Sequence, residues 1–196
     1  DQGFYLGEHG WFDKRWIFEE SLRAPFLVRW PGVIKPGTVN KDIVSDIDFA
    51  ETFLDAAGLP SPSRMQGQSL LPIFKGETPA DWRKSFYYHY YEYPDEHHVR
   101  PHYGVITGRH TLAHFYKPDV QIANAGPLSI SSIPNDYWEL FDRAKDPGEM
   151  KSVSGDPAYA DAQTNLRQEA FRLRTELKEP ARDDPTAFGW QPKKSP

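Results

Sequence analysis

Four runs of aromatic and β-branched residues in the second half of the chain constrain its fold most. They are SFYYHYYEY (85–93), HYGVITG (102–108), HTLAHFY (110–116) and YWELFD (137–142). Such residues favour a pleated, half-buried surface, so each run is predicted to form a strand. The short Gly108-Arg109 pair between the second and third runs is typical of a hairpin loop. The sequence therefore predicts a small antiparallel sheet.

A helical pattern follows the last of these runs. It begins at Asp156-Pro157 and continues to about Lys178. Proline is tolerated in the first turn of a helix, and the apolar residues of the segment recur at helical spacing. They share one side of the predicted helix: Leu166, Ala170, Leu173 and Leu177. The tail beyond residue 179 is broken by prolines and is predicted to wrap around the domain or to fray.

The first part of the chain has a different texture. The run FLVRW (26–30), closed by Pro31-Gly32, is predicted to be a buried strand followed by a turn. Asp48 fits the N-cap of a following helix, Glu51 completes a capping box, and Gly58 fits the C-cap. A strand, a turn and a helix in this order indicate an α/β layer.

A connector rich in proline, serine and glycine separates the two parts. Its sequence is GLPSPSRMQGQSLLPIFKGETPADW, which begins at Gly58. We therefore predict two domains. Residues 1–78 would form part of an α/β domain, and residues 79–196 would form an α+β subdomain with a sheet, a helix and a tail.

Composition excludes several classes of function. The net charge of −5 and the pI near 5.8 argue against nucleic acid as the main partner. No apolar run is long enough for a membrane-spanning helix. Because the chain has no cysteine, it offers no disulfide, no thiolate metal ligand and no cysteine nucleophile.

The opening residues offer hard oxygen ligands. Asp1 supplies a carboxylate and Gln2 an amide oxygen, which suit Ca²⁺ or Mg²⁺ better than zinc. Gly3 then lets the backbone turn away. If a strand ended at Asp1, the pair would lie where ligands gather in open α/β sheets. On these residues alone, a surface turn is the alternative.

A second group of charged residues follows at 13–15. Lys14 is a compact charge with three donors, suited to a tetrahedral anion such as sulfate or phosphate. Arg15 offers a fork for bidentate contacts, and Asp13 offers an acceptor for hydroxyl groups. Taken alone, these three residues are also typical of a solvated charged loop.

The order of these motifs resembles the type I sulfatase family of the alkaline-phosphatase-like superfamily. That family has a D-N/H/Q-G motif, then G-E-H-G, a lysine, and E-E-S-x-R-x-P. The matching residues here are Asp1-Gln2-Gly3, Gly7-Glu8-His9-Gly10, Lys14 and EESLRAP (19–25). The resemblance continues to about residue 150. It implies the C-terminal part of an α/β sandwich, followed by a small antiparallel sheet subdomain with a C-terminal helix.

The resemblance also implies site residues. Asp1 and Gln2 would bind calcium, with magnesium as an alternative, and Lys14 would contact the sulfate. The nucleophile of the family is a formylglycine made from Cys or Ser in a C/S-x-P-x-R motif. This sequence has no such motif, because SPSR (61–64) does not have the required order. We therefore expect a missing upstream half as a partner, and we expect the chain alone to be inactive.

The substrate predicted from this resemblance is a sulfated glycan, with 6-O-sulfated N-acetylglucosamine favoured. Asp13 and Arg15 flank the lysine and would hydrogen-bond sugar hydroxyls, and His102 is a candidate substrate contact. Iduronate-type and choline-type substrates are alternatives. A zinc site at His97, His98 and His102 is disfavoured, since no cysteine or suitably spaced carboxylate accompanies them.

Two further functions are left open by the sequence. The first is a phosphate or phosphonate ester hydrolase of the same superfamily, which the identity of the nucleophile would distinguish. The second is a carbohydrate-binding remnant without catalysis. A periplasmic or extracellular location is expected by resemblance alone.

Overall fold

The computed structural model describes residues 2–92, 97, 99–116 and 136–179. The chain divides into two compact units, which are described separately. The first comprises Asp1–Lys14, Phe18–Phe86 and Ile106–Arg109, and the second comprises Arg15–Ile17, Tyr87–Val105 and His110–Pro196. The predicted domain boundary after residue 78 stays a prediction, and the predicted wrapping or fraying of the tail lies outside the described residues.

The first unit opens with a short antiparallel ribbon. Strand β1 (Tyr5–Leu6) pairs with β2 (Phe12–Asp13), so that Tyr5 lies opposite Asp13. A 3-10 turn at Glu8–Gly10 connects the two strands. Helix α1 (Glu19–Leu22) follows and is a single turn.

Two more helices complete the first unit. They are α2 (Asp48–Ala56) and α3 (Leu71–Phe74). Leu70, Ile73 and Trp82 form a buried apolar cluster beside α3. Gly58 has a φ of 71°, and the amide after it donates to Leu54 at 2.9 Å. The predicted glycine C-cap of α2 is therefore confirmed.

The predicted capping box at the start of α2 is wrong. Asp48 is the first residue of the helix, and its fully buried carboxylate forms two bonds with the Arg83 guanidinium, at 2.5 and 2.6 Å. The same carboxylate accepts from the backbone amides of Ser45 and Gln68. Asp48 therefore serves a long-range ion pair, and capping is not its main role.

Glu51, the other member of the predicted box, is also used elsewhere. Its carboxylate accepts from the backbone amide of Gly67 at 2.8 Å. A Cβ at Gly67 would lie 2.2 Å from the carbonyl oxygen of Ile47, so a side chain cannot be accommodated there. Asp48 and Glu51 therefore both tie the connector to α2, through the amides of Gln68 and Gly67.

The predicted buried strand at residues 26–30 is not formed. These residues lie in extended or irregular backbone, and the Leu27 side chain is 94% exposed. Phe26 stacks on Phe49 of α2, with 5.0 Å between ring centroids. A strand requires hydrogen-bonded neighbours, and none pairs with this segment among the described residues.

The predicted antiparallel sheet is confirmed. Its strands occur in the order β3-β4-β5-β6. They are β3 (Ser85–Tyr90), β4 (His102–Thr107), β5 (His110–Phe115) and β6 (Tyr137–Asp142). β5 and β6 run antiparallel, with His110 opposite Asp142. The Gly108-Arg109 pair connects β4 to β5 as expected for a hairpin.

The predicted C-terminal helix is also confirmed. Helix α4 (Ala160–Glu176) follows a 3-10 turn at Pro157–Tyr159. The side chain of Asp156 caps this turn by accepting from the amide of Ala158 at 2.9 Å. The core of the second unit combines strand and helix residues: Val105, Leu112, Leu140, Tyr159, Leu166 and Ala170. Within the described part of the chain, no helix is both long enough and apolar enough to span a membrane.

We expect Asp48→Ala to lower the free energy of unfolding by about 3–5 kcal/mol, because it leaves the largely buried Arg83 without its partner. Urea denaturation of the chain measures the change. The control is Glu169→Ala, which removes a partner of the exposed Arg172 and is expected to cost less than about 1 kcal/mol. Equal losses in the two variants would contradict a structural role for the Asp48 ion pair.

Candidate functional site

The main chain of Lys14 is held by two side chains of the first unit. Its carbonyl accepts from Nε2 of Gln2 at 2.6 Å and from the hydroxyl of Ser21 at 2.7 Å. Ser21 is fully buried in α1, whereas Gln2 is exposed. The Lys14 carbonyl, which follows β2, thus links Gln2 near the start of the chain to Ser21 in α1.

Gly3 makes this arrangement sterically feasible. Its amide donates to the carbonyl of Ser21 at 2.8 Å. A Cβ at this position would lie 2.1 Å from the carbonyl oxygen of Glu20. A glycine is therefore needed at position 3 because the backbone there passes close to the backbone of α1, in addition to the turn that the sequence predicts.

Asp13 and Lys14 lie at and directly after the end of β2. The Asp13 carboxylate accepts from the backbone amide of Lys14 at 2.8 Å, which fixes the direction of the chain there. Both residues are half-buried. Partial burial and this local bond restrict the backbone at Asp13 and Lys14.

The GEHG motif lies in the connection between β1 and β2. His9 stacks on Trp11 and on Phe18, with ring centroids 5.2 and 4.9 Å apart, and its Nε2 lies 3.5 Å from Glu20. The Glu8 carboxylate accepts from the amide of Leu6, which holds the pKa of that carboxyl below its usual range. Both side chains of the motif therefore support the local fold of the connection between β1 and β2.

The second unit holds the residues directly after Lys14. The carbonyl of Arg15 accepts from the hydroxyl of Tyr88 at 3.1 Å. Trp16 stacks on His102, with the ring centroids 5.5 Å apart. Sequence reasoning missed Tyr88 here, because its position in an aromatic strand gives no sign of a contact 73 residues away.

His102 is fully buried and electrically neutral. Its Nδ1 lies 2.7 Å from the carbonyl oxygen of Arg100, so this nitrogen carries the proton and donates it. Burial lowers the pKa of His102 to about 4. Among the described residues, Nε2 has no hydrogen-bond partner. The ring can therefore only accept a hydrogen bond at Nε2.

The predicted cation ligands are only partly described. Asp1 lies outside the described residues. Since Nε2 of Gln2 is engaged with the carbonyl of Lys14, its Oε1 is the atom left to face a cation. Within the described ranges, no three His, Cys, Asp or Glu side chains form a group that could hold a metal. The zinc alternative at His97, His98 and His102 stays disfavoured on the sequence alone, since His98 lies outside the described residues.

The predicted site residues thus fall into two groups. Gln2 and Asp13 contact the main chain of Lys14 in the first unit. Arg15 and His102 lie in the second unit, and Trp16 connects them by stacking on the imidazole of His102 and by its peptide bond to Arg15.

Known proteins match the chain over most of its length. Residues 7–124 match the family model of N-sulphoglucosamine sulphohydrolase, C-terminal. An N-acetylglucosamine-6-O-sulfatase of Bacteroides thetaiotaomicron is 48% identical over 170 residues, which are 86% of this chain and 28% of that protein.

Solved structures agree with this match. The structure of BT4656 in complex with its substrate D-glucosamine-2-N,6-O-disulfate has a TM-score of 0.81 and 44% identity, over 93% of this chain and 34% of that one. The phosphonate monoester hydrolase SpPMH of Silicibacter pomeroyi has a TM-score of 0.67 and 28% identity, over 89% of this chain and 33% of that one.

The mixed α/β fold expected from the sequence is therefore confirmed. The chain spans about a third of the length of these relatives. Because the family model covers more than half of its residues, the chain belongs to the N-sulphoglucosamine sulphohydrolase C-terminal family of type I sulfatases.

Proposed function

We propose that the chain is part of a sulfatase that hydrolyses sulfate esters of glycans, with 6-O-sulfated N-acetylglucosamine as the favoured substrate. The observation that carries the proposal is the carbonyl of Lys14, fixed by Gln2 and Ser21. This geometry occurs in a chain that is 48% identical to an N-acetylglucosamine-6-O-sulfatase. A related structure contains a glucosamine disulfate as substrate.

Lys14 is proposed to bind the sulfate group. Its ammonium offers three donors to the oxygens of a tetrahedral anion. Negative charge develops on the sulfuryl oxygens as a nucleophile attacks the sulfur, so a cation placed beside them stabilises the transition state more than the ground state. The two hydrogen bonds to the Lys14 carbonyl fix the main chain from which this ammonium extends.

Asp1 and Gln2 are proposed to hold a calcium ion, with magnesium as the alternative. A carboxylate and an amide oxygen are the hard ligands that these ions prefer, and Oε1 of Gln2 is left for such a contact. A bound cation would neutralise charge on the sulfate oxygens. Gln2 would thus serve both the metal, through its oxygen, and Lys14, through its nitrogen.

The nucleophile is proposed to come from polypeptide outside these 196 residues. The sequence contains no cysteine and no S-x-P-x-R motif from which formylglycine is made. Large apolar side chains of the first unit are strongly exposed, with Leu27 at 94%, Phe12 at 74% and Phe53 at 74%. If other polypeptide covers this unit, these are side chains that it would bury. The chain alone is therefore proposed to be inactive.

Asp13, Arg15 and His102 are proposed to recognise the sugar. Asp13 can accept from a hydroxyl, and the Arg15 guanidinium can donate two parallel bonds. His102 can only accept, since its Nδ1 already donates to Arg100. Because Nε2 of His102 is buried, a sugar hydroxyl reaches it only where a neighbouring side chain moves aside.

Hydrolysis of phosphonate esters is the second candidate. It is favoured by the likeness to the phosphonate monoester hydrolase SpPMH at 28% identity. Activity on a phosphonate monoester that exceeds activity on every sulfate ester would establish it. Binding of a sulfated sugar without turnover, after the nucleophile-bearing half is supplied, would instead favour the non-catalytic remnant.

Lys14→Ala is expected to lower kcat/KM by about 10²–10³, because one preorganised charge on the sulfate is lost. The measurement uses a protein that joins this chain to the nucleophile-bearing half, with an aryl sulfate and a 6-O-sulfated N-acetylglucosamine as substrates. Lys75→Ala removes an exposed lysine and serves as the control. Equal kinetics for the two variants would remove Lys14 from the site.

Arg15→Ala is expected to raise KM for the sulfated sugar by about tenfold or more, the cost of a charge-assisted bond, and to change the aryl sulfate reaction by less than about twofold. The same protein and substrates are used. Arg64→Ala, at an exposed arginine, should change neither reaction. Equal losses on both substrates would contradict a sugar-recognition role.

Gln2→Ala is expected to raise the calcium concentration that half-saturates the increase in Tm by about tenfold, since one ligand is lost. Ser21→Ala is the matched control, because it removes the other donor to the Lys14 carbonyl without removing a metal ligand. An unchanged calcium dependence in Gln2→Ala would exclude Gln2 as a ligand.

A further inference from the structure

We infer that Tyr88 is a positioning residue for Arg15, and that it contributes to sugar recognition by fixing the main chain from which the Arg15 side chain extends. The inference rests on the proposed function, in which Arg15 contacts the sugar. Tyr88 would not touch the substrate itself.

The first contact is a direct hydrogen bond. The hydroxyl of Tyr88 in β3 donates to the carbonyl of Arg15 at 3.1 Å. Burial raises the pKa of Tyr88, so the phenol keeps its proton and stays a donor at every pH at which an enzyme of this kind would be assayed. The bond holds the peptide group directly after the Arg15 side chain.

The next residue is held by stacking. Trp16 stacks on His102, with an interplanar angle of 22° and ring centroids 5.5 Å apart. It also contacts Phe115, with 5.8 Å between the ring centroids. His102 in turn contacts Tyr88, with 5.6 Å between centroids. Aromatic contacts of this kind stabilise a defined geometry beyond the area they bury. Tyr88 therefore belongs to the same packed group as the ring that holds Trp16.

Ile17, the next residue, is held by close packing. Ile17 is fully buried, and its Cδ1 would lie 2.6 Å from a Cβ added to Gly104. Gly104 therefore leaves space on β4 that Ile17 fills. Residues 15–17 are thus fixed one after another, by a hydrogen bond, by stacking and by packing.

This arrangement separates sugar recognition from sulfate chemistry. The carbonyl of Lys14 is held independently, by Gln2 and Ser21 of the first unit. Loss of the Tyr88 hydroxyl should therefore loosen Arg15 and leave the position of Lys14 intact. Because the sugar ring is rigid, a displaced Arg15 guanidinium would form weaker hydrogen bonds with its hydroxyl groups.

Tyr88→Phe tests the inference, and Tyr87→Phe is its matched control. Tyr87 is the preceding residue of the same strand and is also half-buried, and its hydroxyl contacts His89 at 3.4 Å and the Glu179 carboxylate. Both variants lose one hydroxyl. They are made in the protein that carries the nucleophile-bearing half, and kcat and KM are measured on 6-O-sulfated N-acetylglucosamine and on an aryl sulfate.

Tyr88→Phe is expected to raise KM for the sugar by about threefold to tenfold, the range of one lost hydrogen bond. Its kcat on the sugar and its kinetics on the aryl sulfate should stay within about twofold of the parent, as should all values for Tyr87→Phe. Equal sugar KM values in the parent and in Tyr88→Phe would overturn the inference, as would an equal rise in the two variants.

Amide hydrogen exchange gives a readout that does not depend on activity. The amides of Trp16 and Ile17 should exchange faster in Tyr88→Phe than in Tyr87→Phe, because their segment opens more often. Equal exchange in the two variants would overturn the inference. A parent protein that cleaves neither substrate would overturn the proposed function, and the exchange rates would still decide whether Tyr88 fixes residues 15–17.

Discussion

The carbonyl of Lys14 is the point on which the proposed site depends. It accepts from Gln2 and from the buried hydroxyl of Ser21, so three separate parts of the first unit meet there. Gly3 permits the approach, because a side chain at its position would collide with α1. These two hydrogen bonds order the backbone of Lys14 during folding, so that part of the ordering cost does not fall on anion binding.

In the second unit, aromatic stacking, and not only hydrogen bonding, holds the residues that follow Lys14. Aromatic rings of the sheet hold Trp16, and the neutral His102 lies among them with its proton directed at Arg100. Because burial lowers the pKa of His102 to about 4, its charge state does not change near neutral pH. The ring on which Trp16 stacks therefore keeps one charge state near neutral pH.

Local signals in the sequence predicted the fold better than long-range ones. The hairpin at Gly108-Arg109 and the C-cap at Gly58 depend on a few neighbouring residues, and both were predicted correctly. The role of Asp48 was not, because its partner Arg83 lies 35 residues away. The strand expected at residues 26–30 failed because strands need partners that no local pattern supplies. The resemblance identified the family, but the contact between Gln2 and the Lys14 carbonyl is visible only in the folded structure.

The most direct test of the central claim is a crystal structure of the protein with its nucleophile-bearing half, calcium and a 6-O-sulfated N-acetylglucosamine. We expect Nζ of Lys14 about 2.7–2.9 Å from a sulfate oxygen, and Oε1 of Gln2 about 2.3–2.6 Å from the calcium ion. A sulfate bound by other cations, with Lys14 directed into solvent, would contradict the account.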